Sequence, residues 1–428
     1  MKLLDRQLVD KFKYLAKIGL LFWLIVLGKS CETLKDLQGD LDSSDTDSIL
    51  LLISIDGLPA YYLDRNLTPT LDSLAAIGVA AEALTPVFPS KTFPNHYTQV
   101  TGLYPVNHGI VSNRMYDQDR DRYFTIGSGS SSVQDGSWYQ GEPIWVTASK
   151  QGLVSATMFW PGSAAEINGT RPDYYFAYNG SVPEADRIRQ VLEWMALTDK
   201  RPNLITLYFE RVDQAGHQYG PESTAVGEAI RLIDQQLNDL MMGIKVLQLE
   251  DKVDIILVSD HGMSAMGRDR MIFLDDYISL EDTEVLNWSP VLELLPEQGQ
   301  ELEIFHQLSG AHPKLRVYHK SEFPPNWHLI DHPRVAPVVA IAAPGWSVSS
   351  RAYFEDHPET YQGGNHGYDH LNPEMQGIFL ASGPGFLSGS RLPPVSSVHL
   401  YQLMCHLLNL TPADNDGDLA VWREILTD

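Results

Sequence analysis

Ser48-Ile49-Leu50-Leu51-Leu52-Ile53-Ser54-Ile55-Asp56-Gly57 is the stretch that decides the fold. A strand with one wet face alternates polar and apolar residues, and this run does not. An unbroken apolar strand is buried on both faces, as in parallel sheets covered by helices. Two later runs read the same way, Asn203-Leu204-Ile205-Thr206-Leu207-Tyr208-Phe209 and Val253-Asp254-Ile255-Ile256-Leu257-Val258-Ser259. Between them, residues 223–249 carry Ile230, Ile233, Leu237, Leu240 and Met241 at helical spacing. Strand–helix–strand alternation over this length predicts an α/β fold with a mainly parallel sheet sandwiched by helices.

Outward from that core the pattern changes twice. Residues 271–364 hold short strands such as Leu315-Arg316-Val317-Tyr318, many prolines and a helix over 296–308. They predict a smaller inserted, partly antiparallel cap. The core then resumes with a strand over 375–381 and a helix over 398–408. At the other end, Lys11, Lys13 and Lys17 precede an apolar run from Ile18 to Leu27. That run is shorter than the ~20 residues of a spanning helix and suits a signal-peptide core. Residues 1–30 are therefore read as a signal peptide or membrane anchor, 31–48 as a linker, and 49–428 as the catalytic domain. The expected location is exported: periplasmic, extracellular or anchored facing outward.

A formal charge of −24 argues against a nucleic-acid polymer as main target, because polymer binders show basic faces. A small anionic substrate stays compatible if bound metal supplies local positive charge. Of the two cysteines, Cys405 sits in an apolar helical pattern and reads as a buried thiol. With Cys31 alone remaining, a metal site must be built from histidine and carboxylate.

Those residues stand where a site would be. Asp56 ends the first apolar run, Asp213 follows the second, and Asp260-His261 ends the third. Carboxyl ends of parallel strands line the ligand crevice, and charge there needs a compensating cation or partner. In Arg211-Val212-Asp213-Gln214-Ala215-Gly216-His217, four-residue spacing puts Asp213 and His217 on one helical face. Gly363-Gly364-Asn365-His366-Gly367 adds another imidazole in a glycine-rich loop. Any one of these residues alone is more often a cap or surface group. Together they make six candidate ligands, three for each of two catalytic zincs. The nucleophile lies in Pro89-Ser90-Lys91-Thr92-Phe93-Pro94-Asn95-His96-Tyr97, which opens a helix with Pro94 in its first turn. Thr92 at a helix N-terminus would favour bound phosphate and an alkoxide. Spacing alone leaves Ser90 equally open.

These pieces, with Gly109-Ile110-Val111-Ser112-Asn113, Gly141-Glu142-Pro143-Ile144-Trp145, Trp160-Pro161-Gly162-Ser163, Ser259-Asp260-His261-Gly262-Met263 and Asn365-His366-Gly367-Tyr368, occur in one order across residues 49–410. In that order the chain resembles the nucleotide pyrophosphatase/phosphodiesterase family of the alkaline phosphatase superfamily, in its compact bacterial form. The resemblance implies an alkaline-phosphatase-like core and two Zn2+ per chain. Asp213, His217 and His366 would hold one, and Asp56, Asp260, His261 and the Thr92 oxygen the other. It implies attack by Thr92 on phosphorus, a covalent phosphothreonine and release of nucleoside 5′-monophosphates. Asn113, with the Thr92 backbone N–H, would stabilise a phosphate oxygen, while Phe93 and Tyr208 would flank a nucleobase. The segment 116–139 looks like the insertion of nucleotide-cleaving relatives. The expected partner is a small-molecule nucleotide, and the expected state a monomer. Two alternatives stand beside this reading: the same chemistry on lysophospholipid or choline phosphodiesters, and an inactive binding protein. The complete ligand set argues against the second. Asp414-Asn415-Asp416-Gly417-Asp418 lacks the bidentate Glu of a calcium loop and reads as an acidic turn.

Overall fold

The computed structural model describes residues 48–126, 130–329 and 332–427. The N-terminal segment, the linker up to residue 47, Cys31 and part of the Gly127–Ser132 loop lie outside the described residues. Among the described residues no helix is long and apolar enough to cross a membrane.

One eight-stranded sheet organises the chain. We number its strands β1 (Ile49–Ile55), β2 (Val79–Ala81), β3 (Ser155–Met158), β4 (Tyr174–Phe176), β5 (Leu204–Phe209), β6 (Val253–Val258), β7 (Phe379–Ser382) and β8 (Ser390–Leu392). The spatial order is β8-β2-β7-β6-β1-β5-β3-β4. β1 lies between β5 and β6 and runs parallel to both. All seven of its residues are buried, as an unbroken apolar run requires. β3 and β4 extend the parallel run on one side. On the other side β7 is antiparallel to β6 and β2, so the sheet is mixed but mostly parallel.

Alternation along β1 sends Leu50, Leu52 and Ser54 to one face and Leu51, Ile53 and Ile55 to the other. Leu50 and Leu52 share a buried cluster with residues of the Thr92–Thr101, Ile144–Lys150 and Leu400–Leu407 helices. The Pro69–Ile77, Glu184–Met195, Arg211–Tyr219 and Thr224–Val246 helices pack against one another as a second group. In the longest of these, Ile230, Ile233, Leu237 and Leu240 are buried, whereas Met241 is only partly so. The Ser223 hydroxyl caps its start, accepting from Val226 N at 3.2 Å.

Within residues 271–364 lies a four-stranded antiparallel sheet in the order Thr283–Asn287, Val291–Pro296, Val338–Ala342, Leu315–His319. It has its own apolar cluster, which includes Leu292, Leu294, Ile304, Leu308 and Val338. The expected helix over 296–308 is shorter than the sequence suggests. Pro296 ends a strand, and the helix begins at Glu301. Asp416 in the C-terminal acidic turn accepts from Tyr104 N and Asn107 Nδ2, each at 2.8 Å, so that turn is a structural brace.

Candidate active site

Parallel register brings three strand ends to one edge. Ile55 of β1 stands beside Phe209 of β5, and Ser54 stands beside Val258 of β6. Asp56 follows β1 directly, Asp213 lies in the first turn of the Arg211–Tyr219 helix after β5, and Asp260-His261 follow β6. His366 follows the Gly364–Asn365 strand, which pairs antiparallel with Ser264–Ala265 just beyond His261. Thr92 opens the Thr92–Thr101 helix.

The side chains converge. His261 Nε2 lies 3.0 Å from Asp260 Oδ2, 3.4 Å from Asp56 Oδ1 and 3.3 Å from Thr92 Oγ1. Asp213 Oδ1 lies 3.4 Å from His217 Nε2 and 3.8 Å from His366 Nε2. Two triads, Asp213/His217/His366 and Asp56/Asp213/His261, each keep their ligand atoms within 4.8 Å of one another.

Hydrogen bonding fixes how these groups present themselves. Nδ1 of His217, His261 and His366 lies 3.0, 2.9 and 2.9 Å from the carbonyls of Gly364, Gly262 and Ser90. A carbonyl only accepts, so each Nδ1 carries a proton and each Nε2 is left to face the carboxylates. Asp56 Oδ1, Asp213 Oδ1 and Asp260 Oδ2 are buried with no hydrogen-bond partner among the described residues. Three buried carboxylate oxygens gathered within reach of imidazole nitrogens are costly unless a cation sits among them. Nitrogen and carboxylate oxygen are the donors zinc takes, so the residues fit the metal the sequence implies.

Electrostatics agree. Burial, and then the neighbouring Asp260 and Asp213, push Asp56 well above the usual carboxylate range. Burial also opposes charge on Asp260, but His261 and His96 outweigh it and hold that carboxyl well below its ordinary value. His366 is held well below the ordinary imidazole value by burial, with His261, Lys91 and His217 adding to the shift. A neutral His366 is the form that binds metal, and a divalent cation would offset the burial and the carboxylate repulsion that push Asp56 upward.

Tertiary contacts separate Ser90 from Thr92. The Ser90 hydroxyl is buried and donates to Tyr368 O at 2.8 Å, whereas Thr92 lines a cavity of about 770 Å³ together with Asp56 and Asp213. Asn113 Oδ1 accepts from Phe93 N at 3.0 Å, which ties Asn113 to the first turn of the Thr92 helix. Phe93 and Tyr208 both line the cavity. Tyr208, however, is 7% exposed and donates its hydroxyl to Asp56 Oδ2 at 2.5 Å. The open aromatic surface there is Tyr178, 54% exposed, with Phe159 and Phe176 nearby on the lining.

His96 received no role from the sequence, although its spacing carried a signal. Four residues after Thr92 in one helix, its Nδ1 reaches back to Thr92 O at 2.9 Å. The same nitrogen lies 3.3 Å from Asp260 Oδ2, and Nε2 bonds Ser54 Oγ at 2.8 Å. His96 thus links the Thr92–Thr101 helix, β1 and a candidate metal ligand.

Residues 50–369 match the family model described as type I phosphodiesterase / nucleotide pyrophosphatase. This chain belongs to that family. Type I phosphodiesterases / nucleotide pyrophosphatases are metal-dependent hydrolases of phosphodiester and pyrophosphate bonds, and the mixed sheet here is their alkaline-phosphatase-like core. Human ectonucleotide pyrophosphatase/phosphodiesterase family member 5 is 37% identical over 409 residues, which cover 95% of this chain and 83% of the human one. A venom phosphodiesterase of Naja atra is 37% identical over 382 residues, covering 86% of this chain and 46% of its own length. Among solved structures, an inactive threonine-to-alanine variant of the murine family member 5, in complex with AMP, superposes with a TM-score of 0.84 at 37% identity. The match covers 89% of this chain and all of the murine one.

Proposed function

We propose that this chain cleaves nucleotide phosphodiester and pyrophosphate bonds at a two-zinc site, with Thr92 as nucleophile and nucleoside 5′-monophosphates as products. One observation carries the reading: a helix-N-terminal hydroxyl beside His261 and the orphaned Asp56 oxygen, opening into an aromatic cavity. Asp213, His217 and His366 would hold one zinc, and Asp56, Asp260, His261 and Thr92 Oγ1 the other. Bound zinc would supply Lewis-acid activation of the Thr92 oxygen and offset phosphate charge.

The chain's own groups do the rest. Thr92 Oγ1 loses its proton to solvent and forms a bond to phosphorus as the P–O bond to the leaving group breaks, and the leaving oxygen departs with its electron pair. Water then attacks phosphorus from the opposite side, the bond from phosphorus to Thr92 Oγ1 breaks, and a proton of the water restores the hydroxyl. The helix N-terminus and Asn113 stabilise phosphate oxygens. Phe93 and Tyr178 present faces to the base, while Tyr208 steadies Asp56. The segment 116–139 contributes Ile126, Val133 and Gln134 to the cavity lining, which supports a compact organic group over a long acyl chain. The murine neighbour holding AMP and inactivated by a threonine-to-alanine change supports both nucleotide and nucleophile. Relatives named as ecto-enzymes and venom enzymes support export.

Metal-loaded protein incubated with ATP and followed by phosphorus NMR tests this reading. AMP plus pyrophosphate is expected. ADP plus phosphate would overturn it.

A further inference from the structure

Arg187 has no part in the chemistry above, yet its side chain is 1% exposed and fully engaged. Nη1 donates to Tyr208 O at 2.9 Å and to Glu210 Oε2 at 2.6 Å, and Nη2 donates to Glu210 Oε1 at 2.7 Å. Nε donates to Val182 O at 3.1 Å, and the guanidinium carbon lies 5.0 Å from the Phe159 ring centroid. Glu210 is itself 9% exposed at its side chain and lines the active-site cavity.

A buried ion pair is weak support for stability, because desolvating both charges offsets most of their attraction. Its partners here say more than its energy. Phe159 follows β3, and Tyr208 stands near the end of β5. Val182 closes the turn that starts at Asn179, next to Tyr178, its own N–H donating to Asn179 O at 3.1 Å. Three cavity-lining segments that are distant in sequence thus meet on one planar cation. That turn is close-packed: a Cβ added at Gly180 would lie 2.8 Å from Tyr178 Oη and 3.6 Å from Glu210 Oε1. A lysine could not replace the fork, since an ammonium is a single point charge without the planar, fixed donor geometry.

We infer that the Arg187–Glu210 pair is a positioning device for substrate specificity. It holds the Tyr178 face against the buried Phe159 and Tyr208 as one wall for the organic group of the substrate, and it cancels a carboxylate charge that would face an anionic ligand. Arg187 touches no reacting atom. The inference rests on the nucleotide reading above, because an aromatic wall matters only if the substrate carries a group to stack on it.

The test uses the full chain, metal-loaded, and two substrates sharing a p-nitrophenolate leaving group: the thymidine 5′-phosphate ester and the methyl phosphate ester. In Arg187→Lys, kcat/KM for the thymidine ester is expected to fall roughly tenfold or more, mainly through KM, and for the methyl ester less than about threefold. Bound zinc is expected to match wild type. Glu210→Gln is expected to show the same selective loss in milder form, and it decides the matter if a melting curve shows Arg187→Lys to be misfolded. Equal losses on both substrates, or no loss on either, would overturn the inference. If wild type itself does not prefer the thymidine ester, the nucleotide reading falls and this inference with it.

Discussion

The imidazole rings of His261 and His366 stack face to face, with centroids 3.5 Å apart and planes 14° from parallel. One ring belongs to each proposed zinc. Two imidazolium ions could not share that contact without strong repulsion, so proton and metal compete for this pair. The expected stoichiometry is two zinc ions per chain near neutral pH, with turnover lost on chelation and restored by added zinc. Metal analysis alongside turnover checks it, and full activity in metal-free protein would remove the metals from the mechanism.

Thr92→Ala is expected to lose at least ~10³-fold in rate with zinc retained, because no other hydroxyl replaces it. Ser90→Ala should lose no more than about tenfold, the scale of one buried hydrogen bond, since its hydroxyl is spent on Tyr368 O. Steady-state kinetics on one phosphodiester separates the two. Near-native turnover of Thr92→Ala would return the choice to Ser90.

Tyr208→Phe removes the only hydroxyl donated to Asp56 Oδ2 among the described residues and leaves the ring in place. Zinc affinity is expected to drop by about 10-fold, as for loss of other groups that orient a ligand, with KM for a nucleotide little changed. Tyr178→Ala should do the reverse, raising KM by roughly tenfold through lost stacking while metal content holds. An inverted pattern would show that Tyr208, not Tyr178, meets the base.

Gly57 takes φ +67°, and a Cβ there would lie 2.9 Å from both Cα and Cβ of Asp213. Gly57→Ala therefore combines left-handed backbone strain of about 1–2 kcal/mol with a forced shift of a metal ligand. Zinc titration should show weaker binding at the Asp213/His217/His366 site. Unchanged affinity would mean that Asp213 adapts freely.

His108 supplies a test of pH dependence away from the metals. Burial holds its imidazole down at about 3, below the ordinary 6.5, while Nδ1 accepts from Ile110 N and Nε2 faces Thr98 Oγ1. The unfolded chain takes up a proton below pH 6.5 that the folded chain refuses until near 3. Its stabilising contribution is therefore complete above pH 6.5 and lost as pH falls through that window, at about 1.4 kcal/mol per pH unit. Denaturant unfolding of His108→Gln between pH 6 and 4 should show a slope shallower by about one proton. Identical slopes would place a charged His108 in the native state.

Much of this was legible in the residues themselves. Unbroken apolar runs have one physical explanation, burial on both faces, and so β1, β5 and β6 could be read directly. Four-residue spacing placed Asp213 beside His217 for the same kind of reason. The helix over 296–308 misled because Pro296 and its apolar neighbours suit a strand end as well as a helix start, and strand pairing with Thr283 decided between them.

By itself the sequence determined the fold class, the residue types able to bind metal and the strand ends that carry them. It could do so because periodicity and composition are local properties of the chain. Tertiary structure alone showed the Ser90 hydroxyl spent on Tyr368 O while Thr92 lines the cavity, placed Tyr178 rather than Tyr208 as the more open aromatic face, and revealed His96 and Arg187. Each of those outcomes depends on which backbone carbonyl or carboxylate stands within about 3 Å of a side chain, a distance set by the packing of segments far apart in sequence.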